Sequence, residues 1–161
     1  MERLLKLLRD VHLTYPAAST VEIEEFERRV GWRLDDDLRA FYLATNGARL
    51  FSKVNSPFHI LPLQEIMRTR VAVFRVDLES RGPPNWWALV DVQDGNYLAV
   101  DILCIHEGRY GIRDIFHETA TDPEYCRVIA PRFSDFLQRA LHSDGAQYWL
   151  SESPDDSPQL W

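Results

Sequence analysis

Leu4, Leu8 and Val11 recur at helical spacing, with Leu5 and Leu7 widening the stripe, so residues 2 to 13 predict an amphipathic helix that stops before Pro16. In "STVEIEEFERRVGW", Ser19 and Glu22 form a capping box, Ile23, Phe26 and Val30 make a buried stripe, and Gly31 supplies a left-handed stop. "LDDDLRAFYLATNG" repeats the device: Asp35 or Asp36 caps, Leu38, Phe41 and Tyr42 face inward, and Asn46-Gly47 ends the helix. Three helices are thus expected in the first third of the chain.

The pattern then shortens to β-rich runs, "ARLFSKV" and "FHILPL". In "QEIMRTRVAVFRVDL" a helical turn is expected at Gln64 to Arg68, with strand propensity in the Val-rich remainder. Beyond "GPPN", the runs "WWALVDV", "YLAVDILCI", "GRYGIRDIFH" and "YCRVIA" predict an antiparallel meander. Pro131 opens a last helix with Phe133, Phe136, Leu137, Ala140 and Leu141 on one face. Helices first, then sheet, then a helix is the order of an α+β fold, with N-terminal helices, a mostly antiparallel sheet and a C-terminal helix packed on it. The βαβ alternation of a nucleotide-binding sheet is absent, as are GxGxxG and GxxxxGK[ST].

At 161 residues the chain has the length of one ordinary domain. Residues 1–150 are assigned to it, and the acidic, Pro/Ser-rich "SESPDDSPQLW" at 151–161 is expected to be a disordered tail. Lys6 and Arg9 interrupt the first apolar run before it reaches signal-peptide length, and no run has the ~20 apolar residues of a membrane span. Two cysteines at unrelated positions suit a reducing compartment, so a cytoplasmic protein is expected. The net charge of -7 is uneven: residues 1–80 carry 12 acidic and 12 basic side chains, so the whole excess lies in the second half. Such a surface repels nucleic acid and membrane phosphates and favours basic partners, although acidity of this size also serves solubility alone.

The densest candidate chemistry is "ALVDVQDGNYLAVDI", which sets Asp91, Asp94 and Asp101 around an Asp-Gly-Asn. Counted back from Gly95, an EF-hand would need ligands where Val90 and Val92 stand, so calcium is not expected. Asp-Gly between apolar runs is instead a hairpin signal. A two-residue turn at Asp94-Gly95 pairs Val92 with Tyr97, Val90 with Ala99 and Ala88 with Asp101. Asp91 and Asp101 then point to opposite faces and form no catalytic pair, whereas a three-residue loop puts them on one face. Either way, each carboxylate is expected to cap a loop or pair with an arginine. His106-Glu107, His117-Glu118, Cys104 and Cys126 lack paired zinc-ligand spacing, and neither cysteine carries a local mark of activation. Cys104, in phase with Leu98, Val100 and Ile102, reads as a small core residue. Trp86 and Trp87 fall on opposite strand faces without basic interleaving, which disfavours stacking on bases. No metal, cofactor or catalytic residue is expected.

The order of "VEIEEFERRVGWRLDDDLRAFYLATNG", "FHILPLQEI", "WWALVDVQDGNYLAVDI", "GIRDIFHET" and "VIAPRFSDFLQRAL" resembles the SUKH superfamily, typified by the yeast cell-wall assembly regulator, from Val21 to Leu141. Asp35 stands where the family usually has proline, and an N-capping Asp starts a helix equally well. The resemblance implies an α+β domain without catalytic apparatus. Gly31, Leu34, Asn46, Gly47, Gly95 and Asp101 would serve as caps, turns and packing positions. It also implies a bacterial immunity protein that neutralises a cognate toxin, often a nuclease, in a polymorphic toxin system. The alternative is a regulatory scaffold of the cell-wall assembly regulator type. Together with the charge distribution, this makes a basic protein toxin the expected partner, with no direct nucleic-acid or membrane contact. It would be met through Asp94, Glu118, Asp122 and Glu124.

Overall fold

The computed structural model describes residues 1–52 and 58–150, so the tail expected at 151–161 lies outside the described residues. Helix α1, Glu2–Val11, turns at an extended His12 into a two-residue strand β1, Leu13–Thr14, that the apolar pattern did not announce. Helix α2, Thr20–Val30, starts and stops as its residues predict. Ser19 Oγ accepts from Glu22 N–H at 3.2 Å, and a Glu22 carboxylate oxygen accepts from Ser19 N–H at 2.8 Å. Gly31 ends the helix at φ 81°. Such a cap is worth about 1 kcal/mol, because it satisfies amide donors that a first turn otherwise leaves unpaired. Helix α3, Asp36–Ala44, is capped by Asp35, whose carboxylate accepts from Leu38 N–H at 2.9 Å. The second Asp35 oxygen accepts from Tyr110 N–H at 2.8 Å, so one side chain fastens the helix start to the sheet.

Strands β2 (Ala48–Leu50), β3 (Phe58–Ile60), β4 (Met67–Arg68), β5 (Trp86–Asp91), β6 (Tyr97–His106), β7 (Arg109–Ile115) and β8 (Val128–Ala130) follow. Among the described residues they form with β1 an eight-stranded antiparallel sheet in the order β1-β2-β3-β5-β6-β7-β8, with β4 also paired to β5. Gly47 enters β2 at φ 101°, and a Cβ there would lie 2.7 Å from the Ile60 carbonyl oxygen, so this position needs glycine twice over. Helix α5, Phe133–His142, buries Phe133, Phe136, Leu137 and Ala140 in the main core. Ile23, Phe26, Leu38, Phe41 and Trp87 occupy the same core. The fold is therefore α+β, with N-terminal helices, the antiparallel sheet and a C-terminal helix packed on it.

Two local expectations are corrected. The Val-rich stretch is not a strand: a 3₁₀ turn at Leu63–Glu65 and the short β4 lead into a helix α4, Thr69–Phe74. Thr69, Arg70 and Ala72 are buried, while Val73 and Phe74 pack against Trp86, Ala99, Ile115, Ala120 and Cys126 on the second sheet face. Burial across that face outweighs the β propensity of two valines.

The second correction concerns register. Asp94 and Gly95 have the positive φ of a type I′ turn, 54° and 78°, but Gln93 is also positive at 78°. Val92 N–H donates to the Asn96 carbonyl at 3.1 Å, which closes a three-residue loop. Asp91 therefore faces Tyr97, and Val90 faces Leu98. A bulge between Ala88 and Val90 then shifts the ladder again, so that Trp86 faces Asp101. Tyr97, Ala99 and Asp101 alternate onto one face, so Asp91 and Asp101 share that face. They are separated by four residues of strand, about 13 Å. Trp86 and Trp87 do point to opposite faces, the first into the smaller cluster and the second into the main core.

Candidate partner-binding surface

Residues 116–126 run across the second face as a chain of tight turns. Thr119, Asp122 and Tyr125 N–H donate in turn to the carbonyls of Phe116, Thr119 and Asp122. Ala120 and Cys126 are the inward anchors, packed beneath Trp86. With those two buried, Glu118, Asp122 and Glu124 are left pointing to solvent. Asp122 also accepts from Glu124 N–H at 3.1 Å, which fixes the tip of the loop.

The β5–β6 turn is fastened to this loop by one amide. Asn96 Oδ1 lies 2.9 Å from His117 N and 2.9 Å from His117 Nδ1. A carbonyl oxygen only accepts, so Nδ1 carries the ring proton. Exposed Asp94 on the turn and exposed Glu118 beside His117 thereby flank one junction. Phe116, 41% exposed, and Tyr125, 68% exposed, add two aromatic rings to the same loop. Neither ring was singled out from sequence. The available signal was their position, Phe116 just before and Tyr125 at the end of the polar run "HETATDPEY".

The other carboxylates of the hairpin have structural partners. An Asp91 oxygen accepts from Gln93 N–H at 2.8 Å. Asp101, only 3% exposed, is paired with Arg113 Nε at 2.7 Å. It also accepts from Asn85 Nδ2 at 2.7 Å and from Leu103 N–H at 3.1 Å, which steadies the bulge in β6. Each is the loop cap or arginine partner that the sequence suggested. Burial pushes the Cys126 thiol up to about 11 and that of half-buried Cys104 up as well, the opposite of what an attacking thiolate needs. Cys104 is thus not the fully enclosed core residue expected. Among the described residues no group of three or more His, Cys, Asp or Glu is placed to hold a metal ion. No helix there is long and apolar enough to cross a membrane.

With this surface carried on an α+β frame, residues 17–139 match the SMI1 / KNR4 family (SUKH-1), and the chain belongs to that family. It is similar to Immunity protein YokJ of Bacillus subtilis (strain 168), at 26% identity over 121 residues covering 74% of this chain and 72% of that protein. The resemblance drawn from the sequence motifs is borne out, with a match that begins slightly earlier and ends slightly earlier than Val21 to Leu141.

Proposed function

We propose that this protein is an immunity protein that binds and neutralises a cognate protein toxin without catalysis of its own. The observation that carries this reading is the match to an immunity protein along about three quarters of both chains, together with the SUKH-1 family match. Further support comes from the acidic loop, where exposed Glu118, Asp122 and Glu124 stand beside the turn that presents Asp94. A nuclease holds phosphates with lysine and arginine, and a carboxylate surface that meets those groups gains steered association. The toxin is therefore read as basic, met through these four carboxylates with Phe116 and Tyr125 as aromatic anchors. The immunity protein works in the compartment where the toxin would otherwise act, and residues 1–150 serve as one binding domain.

The test is co-expression with the toxic C-terminal domain of a secreted protein encoded beside this chain. Growth should be restored, and a stoichiometric complex should copurify. Growth arrest despite abundant, folded protein would overturn the reading and leave the regulatory scaffold in its place.

A further inference from the structure

Across the second sheet face runs a continuous row of directly opposed residues. Arg49 of β2 faces His59 of β3, His59 faces Asp91 of β5, and Asp91 faces Tyr97 of β6. Directly opposed residues bring their side chains within reach of one another, so three polar groups from three strands converge in the middle of the row. They form the floor of a pocket of about 190 Å³. Leu61, Met67 and Ala72 supply its apolar walls, and Glu65 and Arg75 complete its lining. Asp91 and Tyr97 are also the residues that flank the turn carrying Asp94, so the pocket lies at the base of that hairpin loop.

The pocket's groups are held in place from behind. Arg49 Nε donates to the Tyr15 hydroxyl at 3.0 Å, and that hydroxyl lies 3.1 Å from His59 Nε2. Burial, then the Arg49 charge, pushes the His59 imidazole below its ordinary value, so it adds no positive charge at neutral pH. Burial, then the Asp91 charge, pushes the Tyr97 phenol up and keeps it a neutral hydroxyl. One Asp91 oxygen accepts from Gln93 N–H at 2.8 Å, and the carboxylate as a whole lines the pocket.

We propose that this pocket receives a single lysine or arginine side chain of the protein's partner. Size and charge both select that occupant. Sites for drug-sized molecules run to about 300–1,000 Å³, so this volume suits one long side chain. Within the lining Asp91 and Glu65 face the single charge of Arg75, while Arg49 lies outside it, one strand beyond His59 with its Nε on the Tyr15 hydroxyl. An entering cation therefore meets two close carboxylates against one close guanidinium, and an entering carboxylate the reverse. Leu61, Met67 and Ala72 cover the methylene stem, and the Tyr97 hydroxyl and Asp91 take the head's donors. The inference rests on the partner-binding reading and adds the residue type that would make recognition selective.

The test uses the full chain and small probes in place of the partner. Amide chemical shifts are followed by NMR during titration with N-acetyllysine amide and N-acetylarginine amide, with N-acetylnorleucine amide and N-acetylglutamate as uncharged and anionic controls. The cationic probes should give saturable shifts at Leu61, Ala72, Asp91 and Tyr97 with a Kd near 1 mM. The charge-only double variant Asp91→Asn/Glu65→Gln should weaken that binding about tenfold. Asparagine keeps an acceptor for Gln93 N–H, so an unchanged spectrum elsewhere would show that its fold is intact. Absence of saturable shifts, equal binding of the controls, or undiminished binding by the double variant would overturn the proposal. No toxin enters this experiment, so its failure leaves the immunity reading standing. Success here alongside failed protection would point to a different basic partner.

Discussion

Asn96 reaches across from the β5–β6 turn and holds both nitrogens of His117 that it can reach, main-chain and ring, with one oxygen at 2.9 Å. This junction is what makes the turn and the 116–126 loop a single surface. Asn96→Ala removes the acceptor of both bonds while leaving the turn's backbone bond to Gln93 in place. The expected loss is about 1–3 kcal/mol, the range for a pair of neutral hydrogen bonds. Hydrogen exchange at the His117 amide should accelerate by more than that of Ile112 in the sheet. Uniform acceleration across both would mean that the junction does not act locally.

Gly47 and Gly95 both have positive φ, but only Gly47 is also crowded. At Gly95 the nearest atoms to an added Cβ belong to the His117 side chain at 3.9 Å, so Gly95→Ala should cost only backbone strain, about 1–2 kcal/mol. Gly47→Ala adds a collision with the Ile60 carbonyl and should cost at least about 3 kcal/mol. Asp94→Asn should be nearly neutral, because asparagine tolerates the left-handed region. Urea denaturation of the three variants gives the order, and equal losses for the two glycines would contradict it.

Burial pushes the Asp114 carboxyl up to about 6 against the pull of nearby Arg127. The folded state thus holds this proton more tightly than the unfolded chain does. Its contribution to stability is full below the ordinary value of 3.8 and is lost as pH rises toward 6. Asp114→Asn should therefore stabilise the protein at pH 7.5 by about 1–3 kcal/mol and have little effect near pH 3.5. Denaturation midpoints at the two pH values check this, and a variant less stable at pH 7.5 would reverse the assignment.

Much of the fold was legible in short stretches of sequence because the devices that start and stop its helices are local. Ser19 with Glu22, Gly31 and Asp35 each act within four residues, and each is found doing what its type and spacing imply. Helix α4 differs from the expectation because Val71 and Val73 favour strands intrinsically, while the deciding burial of Ala72 and packing of Phe74 depend on contacts with β5 and β6. Register was misread for a similar reason. Asp94-Gly95 announced the turn chemistry correctly, but nothing in Gln93 or Leu89 announces the extra residue each contributes to the loop and the bulge. The acidic loop was visible as charge, whereas its union with the turn depends on Asn96 meeting His117 across 21 positions. The row of His59, Asp91 and Tyr97 needs the pairing of three strands and could not be assembled without it.

The account of how the partner is recognised stands or falls on whether the loop carboxylates steer it. Stopped-flow association of the purified toxin domain should be measured over a range of salt for the wild type and two variants. The first, Glu118→Lys/Asp122→Asn/Glu124→Lys, alters the loop charges while keeping an acceptor for Glu124 N–H. The second, Glu2→Lys/Glu24→Lys/Glu25→Lys, alters exposed charges on α1 and α2 and spares Glu22, which belongs to the capping box. The loop variant is predicted to associate about tenfold or more slowly at low salt and to lose most of its salt dependence, while the helix variant stays close to the wild type. Equal rates for the loop variant and the wild type, with the same salt dependence, would contradict the account.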